Sequence, residues 1–157
     1  MDIEYRKIRI TKSNSRENKE YLDDLVKLSV MWEKEKCTPS YYANKKKDYL
    51  DKDLYVAINS RNRIIGYGFG HIKVLDKKTS YNKKNEKAFE IDELYVSKRY
   101  RNKQIGQSLF KMMQEDNKGK VSVVELIATS HKHNELLHFY IDELGMSFNH
   151  ALLVKRI

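Results

Sequence analysis

The sequence predicts a single α/β domain, in which helices flank both faces of a mixed central β-sheet. Two observations support this fold class. Strand-like runs alternate with amphipathic segments along all 157 residues, a length typical of one domain. The segment 88–129 also reads as strand, helix and strand, and its length requires a right-handed parallel crossover.

The N-terminal half alternates short strands with helical spacing. A first strand is predicted at 4–11, and Ser15 is predicted to cap a helix that continues to Lys36. The only proline, Pro39, ends this helix, and a short second helix is predicted at 40–51. A polar turn between 53–59 and 64–75 then predicts a β-hairpin.

The C-terminal half contains the crossover and the last helix. Strands are predicted at 88–96, 121–129 and 147–157, and helices at 105–117 and 134–144. Gly145 is placed to end the last helix. The glycines of "GYGFG" (66–70) lie inside a strand, so we interpret them as packing positions and not as a phosphate loop.

Composition and charge narrow the possible partners. The net charge is +9, but the basic residues are dispersed among acids, which favours a solvated surface over a nucleic-acid site. One cysteine, Cys37, fits a reducing compartment. No apolar run is long enough to span a bilayer and no secretory leader is evident, so we expect a cytoplasmic protein without a membrane partner.

The heptapeptide "RNKQIGQ" (101–107) joins a strand to the helix of the crossover. The first turn of a helix offers unpaired N–H groups and the positive end of the helix dipole, which together bind phosphate. Gly106 is expected to let a phosphate approach the backbone, while Arg101 and Lys103 add positive charge. The sequence therefore predicts a pyrophosphate site at this junction.

The stretch "LYVSKRYRNKQIGQSLF" resembles the signature segment of the GNAT superfamily, the Gcn5-related N-acetyltransferases. Arg101, Gln104 and Gly106 occupy the three signature places, with Gln104 where the family has its first glycine. A left-handed backbone at Gln104 would cost about 1 kcal/mol. The resemblance implies the GNAT fold, acetyl-CoA as co-substrate, no metal, and an amine as acceptor; family members are commonly homodimers.

The resemblance also implies which residues hold acetyl-CoA. The pantetheine arm would run along the strand at Leu94, Tyr95 and Val96, where this strand and the next separate. Asn134 would contribute from the last helix. The pyrophosphate would lie on the backbone of the junction, at Arg101, Asn102, Lys103, Gln104, Ile105, Gly106 and Gln107.

Three acids on the strand before the junction are candidates for the general base. Transfer to an amine requires a group that accepts the amine proton and a group that protonates the leaving thiolate. Strand alternation places Glu90 and Asp92 on one face and Glu93 on the other, unless a bulge brings Glu93 round. The resemblance favours Glu90 as base, or Asp92 and Glu93 as acids that hold a cationic substrate.

Tyr140 is the candidate acid that protonates the thiolate. In the family pattern the tyrosine follows an asparagine by seven residues, whereas Tyr140 follows Asn134 by six and Ile141 stands in the expected place. A helix bulge would restore Tyr140, and such bulges occur at functional sites.

The acceptor side is the least patterned part of the chain. Segments 30–50 and 76–88 are expected to form it, with "SYYANKKKDYL" (40–50) as a possible pocket lining. An aminoglycoside, a polyamine or a peptide amine all remain open as acceptor. The alternative functions are a GNAT fold that holds CoA without catalysis, or a basic nucleic-acid-binding module.

Overall fold

The computed structural model describes residues 2–155, which form a five-stranded sheet in the order β1-β2-β3-β4-β5. The first four strands pair with one another in antiparallel fashion, and the fifth strand runs parallel to the fourth. The mixed sheet is as predicted. Its strands are β1 (Ile3–Arg9), β2 (Asp53–Asn59), β3 (Ile64–Leu75), β4 (Glu86–Val96) and β5 (Val123–Glu125).

Helices cover both faces of the sheet, as the fold class requires. The helix α1 (Lys19–Glu35) packs on one face and buries Leu22, Leu25 and Leu28 against it. The helix α2 (Ile105–Asn117) packs on the other face through Leu109, Phe110 and Met113. A short helix α3 (His133–Leu137) continues into a π-helical turn, His138–Glu143. None of the helices described is long and apolar enough to cross a membrane.

A β-bulge in β4 reverses the side-chain alternation along this strand. Phe69 of β3 pairs with Glu93, but the next residue, Gly70, pairs with Ile91, so Asp92 is the extra residue. Gly70 is required here because a Cβ on it would clash with the carbonyl oxygen of Glu90. The bulge that the sequence analysis left open for Glu93 is therefore present, and simple alternation ends beyond Ile91.

The bulge decides which side chains share a face. Before it, Phe89 and Ile91 pack against α2; after it, Leu94 and Val96 do so. Glu93 consequently lies on the α1 face of the sheet, the face that alternation also gives to Glu90. The predicted separation of Glu90 from Glu93 is corrected.

Two predicted elements in the N-terminal half differ from the structure. The Ser15 hydroxyl donates to the carbonyl of Lys12 and does not cap α1, which begins at Lys19. The helix predicted at 40–51 is reduced to one 3₁₀ turn, Lys46–Tyr49. Tertiary hydrogen bonds hold the remainder of this segment in irregular backbone. Tyr41 Oη and Ser29 Oγ share a hydrogen bond of 2.6 Å, and Ser29 Oγ also accepts from the Asn44 N–H at 2.7 Å.

Two predicted strands near the C-terminus are also corrected. The strand predicted at 121–129 is limited to β5, because β4 bends away after the pairing of Glu90 with Glu125. The strand predicted at 147–157 is absent from 147–155, and residues 156 and 157 lie outside the described residues. Leu152, Leu153 and Val154 are exposed. β-propensity needs a partner strand to act on, and these residues have none in the part of the chain that the structure describes.

Candidate active site

A cavity of about 1040 Å³ opens where β4 and β5 separate. The two strands pair only at 88–90 and 123–125, and β4 then continues alone to Val96. Leu94, Tyr95 and Val96 line one wall, and 126–130 line the opposite wall. The separation of these strands, which the resemblance implied, creates a space large enough for an extended ligand.

The junction 101–107 lies at one end of this cavity, at the N-terminus of α2. Asn102 and Gln104 both adopt left-handed backbone, with φ of 58° and 60°. The N–H of Ser108 donates to the carbonyl of Gln104 as the first bond of the helix, so the preceding N–H groups are those that a helix leaves without an internal partner. The backbone geometry therefore suits an anion. The cavity is lined here by Arg101, Asn102, Gln104, Ile105, Gly106 and Gln107.

The side chain of Arg101 is held by protein groups. Its Nη1 and Nη2 donate to the two carboxylate oxygens of Glu35, at 2.9 and 2.7 Å, and its Nε donates to the carbonyl of Val96 at 3.0 Å. The guanidinium also lies 5.4 Å from the centre of the Tyr95 ring. The expectation that Arg101 offers a free charge to a phosphate must be revised accordingly.

Three other predicted cofactor residues are placed differently from expectation. The ammonium of Lys103 lies 5.7 Å from the ring centre of Tyr100, and neither Lys103 nor Asn134 lines the cavity among the described residues. The bare face of Gly106 meets the Phe139 ring, since a Cβ there would be 3.1 Å from Phe139 Cζ. The missing side chain of Gly106 thus serves helix packing, in addition to any approach of a ligand to its N–H.

Glu93 lies in the cavity wall, largely buried and hydrogen-bonded. Its carboxylate accepts from Asn44 Nδ2 at 2.8 and 3.0 Å and from the hydroxyl of Tyr67 at 2.7 Å. Burial raises the pKa of Glu93, and the hydrogen bonds from Asn44 and Tyr67 only partly offset this effect. A carboxylate with a raised pKa and a fixed orientation is suited to accepting a proton.

Asp92 and Glu90 have different surroundings. Asp92 lines the cavity, and its carboxylate lies 3.0 Å from His71 Nδ1. Glu90 is outside the cavity lining and forms an ion pair with Lys73, which also binds Glu125. His71, Glu90 and Asp92 approach within 4.8 Å of one another, as metal ligands would, but the Lys73 ammonium already supplies a cation to Glu90. The cavity therefore includes Asp92 and Glu93 but not Glu90.

Tyr140 lies inside the π-helical turn and lines the cavity. The turn accommodates one residue more than an α-helical turn, with the Leu144 N–H donating to the carbonyl of Phe139 at 3.1 Å. A helix bulge of this kind is what would bring Tyr140, and not Ile141, to the expected place. Among the described residues, Tyr140 lines the cavity and Ile141 does not. Burial raises the pKa of Tyr140 to about 12, so its hydroxyl stays protonated near neutral pH.

Several residues of the site were not predicted individually. Trp32 stacks on Tyr41 and Tyr95, with ring centres 4.2 and 5.3 Å apart. Tyr41 and Asn44 come from the segment 40–50, which was expected to line a pocket, whereas nothing in the sequence distinguishes Glu35 from the other acids of α1. The aromatic content of the segment 40–50 was the only sequence signal for these residues. The partners of the Glu35 and Glu93 carboxylates depend on the three-dimensional fold.

The strand order, the separated strands and the cavity at the start of α2 define an α/β fold of the acetyltransferase type. The family model described as the acetyltransferase (GNAT) family matches residues 20–146. The chain belongs to this family. No curated protein matches it as a relative.

Solved structures share the fold at low sequence identity. Glucosamine-6-phosphate N-acetyltransferase from Arabidopsis thaliana is 20% identical, with a TM-score of 0.60 and 99% of both chains covered. An aminoglycoside acetyltransferase from an uncultured soil metagenomic sample is 16% identical, with a TM-score of 0.64, and covers 100% of this chain and 99% of its own. AAC(6')-Iy, in complex with a bisubstrate analog of CoA, is 10% identical with a TM-score of 0.65, and the same shares are covered.

Proposed function

We propose that this protein is an N-acetyltransferase that moves the acetyl group of acetyl-CoA to a primary amine. The observation that carries the proposal is the cavity between β4 and β5, which joins an anion-binding helix start to a buried carboxylate and a protonated tyrosine. Acetyl-CoA would serve as co-substrate, since it combines a pyrophosphate, a long thin arm and a reactive thioester. Family membership supports an acetyltransferase, and the geometry supports this finer assignment.

In the proposed complex, the backbone of the 101–107 loop binds the pyrophosphate. The first N–H groups of α2 point toward the anion, and the helix dipole adds to their attraction. The pantetheine arm lies against Leu94 and Val96, in the space that β5 would fill if it continued beside β4. This arrangement brings the thioester toward the middle of the cavity.

Glu93 acts as the general base in the proposed reaction. It takes a proton from the acceptor ammonium, directly or through a water molecule, and the neutral amine then attacks the thioester carbonyl. A C–N bond forms while the C–S bond breaks, and the electron pair leaves with sulfur. The acylated nitrogen then loses its second proton to solvent, which leaves the neutral amide. Asp92, which also lines the cavity, would help to hold a cationic acceptor.

Tyr140 protonates the leaving thiolate. Its hydroxyl is buried and retains its proton well above neutral pH, because its pKa is raised to about 12. A CoA thiolate is released more readily when a proton reaches the sulfur as the C–S bond breaks. Tyrosine regains its proton from solvent after CoA leaves.

The acceptor is expected to be a cationic amine, such as an aminoglycoside, a polyamine or a peptide amine. Asp92 and Glu93 place negative charge in the cavity, which attracts ammonium groups. Two of the structural neighbours are an aminoglycoside acetyltransferase and a glucosamine-6-phosphate N-acetyltransferase, which is consistent with an amine on a small molecule. The overall charge of +9 does not oppose this expectation, because the local charge at the site is acidic.

A thiol-release assay tests the proposal. Purified protein is incubated with acetyl-CoA and a panel of aminoglycosides, polyamines and peptides, and free CoA thiol is measured against amine-free controls. We expect amine-dependent thiol release and an acetylated amine detectable by mass spectrometry. Binding of acetyl-CoA without turnover across the panel would instead support the CoA-holding fold.

A further inference from the structure

The carboxylate of Glu35 forms the most extensive charged contact beside the cavity. Glu35 is the last residue of α1, and its two oxygens receive the paired N–H groups of Arg101 at 2.7 and 2.9 Å. The Tyr95 hydroxyl donates to the same carboxylate at 2.7 Å. Burial opposes the charge of Glu35, but these hydrogen bonds outweigh it and hold its pKa below the usual value.

This contact fixes the guanidinium of Arg101. Three of its five N–H groups are committed, two to Glu35 and one to the carbonyl of Val96. Its charge is compensated by the carboxylate at contact distance. A guanidinium in this state contributes far less to a bound phosphate than a free one would, because the nearby negative charge offsets its field.

The pair connects two segments that are distant in sequence. Glu35 ends α1, the helix that leads into the segment carrying Tyr41 and Asn44, while Arg101 begins the loop that opens α2. That loop includes two non-glycine residues in left-handed backbone, Asn102 and Gln104. Such conformations are unfavourable for residues with a side chain and persist only when the surroundings hold them.

We infer that Glu35 is a positioning residue for the donor site: its carboxylate anchors Arg101 and so keeps the N–H groups of the 101–107 loop in the geometry that binds a pyrophosphate. Glu35 does not itself line the cavity among the described residues, so it acts through Arg101. The inference rests on the proposed function, because it assigns the role of Glu35 in binding CoA.

Two readings of the pair predict opposite results for the same substitution. If Glu35 positions the loop, Glu35→Gln removes the charge that holds Arg101 and weakens CoA binding. If Arg101 is instead a phosphate ligand, Glu35→Gln frees its charge, and CoA binds as well or better. The sign of the change in affinity therefore separates the two readings.

The experiment measures the Kd of CoA itself by isothermal titration calorimetry for the wild type, Glu35→Gln and Arg101→Lys. A charge-assisted pair contributes enough free energy that we expect about a tenfold rise in Kd for each variant. Arg101→Lys keeps the positive charge but loses the paired N–H geometry, so we expect it to share the defect if anchoring is what matters. At saturating acetyl-CoA, kcat should change much less than the KM for acetyl-CoA.

Arg63→Gln provides the matched control. Arg63 binds the buried Asp24 through the same kind of paired contact, with Nε at 2.9 and 3.0 Å from its oxygens, and neither residue lines the cavity among those described. We expect Arg63→Gln to lower Tm at least as much as Glu35→Gln while leaving the Kd of CoA unchanged. If the Kd of CoA rises in Arg63→Gln as much as in Glu35→Gln, a general loss of stability explains both results, and the inference is overturned.

The remaining outcomes are distinguishable. An unchanged or lower Kd in Glu35→Gln, with wild-type protein that binds CoA, overturns the positioning role and leaves the proposed function standing. If the wild type releases no heat with CoA, the proposed function fails first, and the role of Glu35 fails with it. If Arg101→Lys binds CoA as tightly as the wild type, charge alone suffices and the anchoring role is wrong.

Discussion

The side-chain amide of Asn44 lies 2.8 and 3.0 Å from the two carboxylate oxygens of Glu93. Asn44 belongs to the irregular segment after α1, and Glu93 belongs to β4, so this contact ties the loop on the acceptor side to the sheet. Because Asn44 and Tyr67 donate to the carboxylate, Glu93 stays oriented although burial disfavours its charge. The contact keeps a carboxylate fixed in the cavity wall.

Glu93→Gln is expected to lower kcat by about 10² to 10⁴, the usual range for loss of a general base. The base works only when ionised, so activity falls as pH drops through its pKa. Because burial raises the pKa of Glu93, the acidic limb of the kcat/KM profile should lie above the range of an ordinary glutamate. Steady-state rates measured across pH check both expectations, and the limb should disappear in the variant.

Glu90→Gln is the control for this prediction. Glu90 is bound by Lys73 outside the cavity lining, so its replacement should leave kcat within a few-fold of the wild type. A loss in Glu90→Gln as large as that in Glu93→Gln would move the base to Glu90. Asp92→Asn distinguishes a role in acceptor binding, because it should raise the acceptor KM more than it lowers kcat.

Tyr140→Phe is expected to lower kcat by about tenfold or more while the Kd of CoA changes little. The proton donor must be protonated, and its pKa of about 12 predicts no alkaline fall in kcat from this group below about pH 10. Rates measured from pH 6 to 10 check this flat limb. An unchanged kcat in Tyr140→Phe would remove the hydroxyl from the mechanism, and Ile141→Val serves as the neighbouring control.

Gln104→Gly is expected to stabilise the fold by about 1 kcal/mol. Gln104 has φ of 60°, a left-handed backbone conformation that costs a residue with a Cβ roughly 1–2 kcal/mol. Glycine avoids this cost, and the extra chain entropy that it loses on folding is somewhat smaller. For a chain of this size, thermal denaturation should show Tm about 3 °C higher. Asn102→Gly should gain less, since asparagine tolerates this conformation better, and a lower Tm in Gln104→Gly would contradict the strain argument.

Gly106→Ala is expected to lower both stability and kcat, because the new Cβ would stand 3.1 Å from the ring of Phe139. Phe139 precedes Tyr140 in the π turn, so a shift of this ring displaces the proton donor. The better helix propensity of alanine offsets part of this cost, so we expect a loss of at most about 1 kcal/mol in the free energy of unfolding. Phe139→Leu in the Gly106→Ala background should recover part of both losses, measured by denaturation and initial rates; no recovery would mean that the close contact is not the cause.

Elements with strong local signals were predictable from the sequence. The helix α2 was expected at 105–117 and is found at Ile105–Asn117, because its apolar spacing and the glycine-containing start act locally. The hairpin strands β2 and β3 were likewise confirmed at the expected residues. Gly145, expected to end the last helix, has φ of 71°, a conformation that glycine adopts without cost.

What could not be predicted depends on contacts between distant residues. The segment 40–51 had helical composition, but hydrogen bonds to Ser29 and Glu93 hold Tyr41 and Asn44 in irregular backbone. The free charge expected at Arg101 is absent because α1 ends with Glu35 beside it. No periodicity or spacing encodes that α1 and the junction meet.

The π turn at His138–Glu143 makes the direction of Tyr140 depend on residue count. Each residue of an α-helix turns the chain by about 100° around the helix axis. Deleting one residue between Asn134 and Tyr140 would therefore turn the Tyr140 side chain away from its present direction. The length of this helix, and not only its composition, is therefore a quantity that any shortened or grafted version of the chain must preserve.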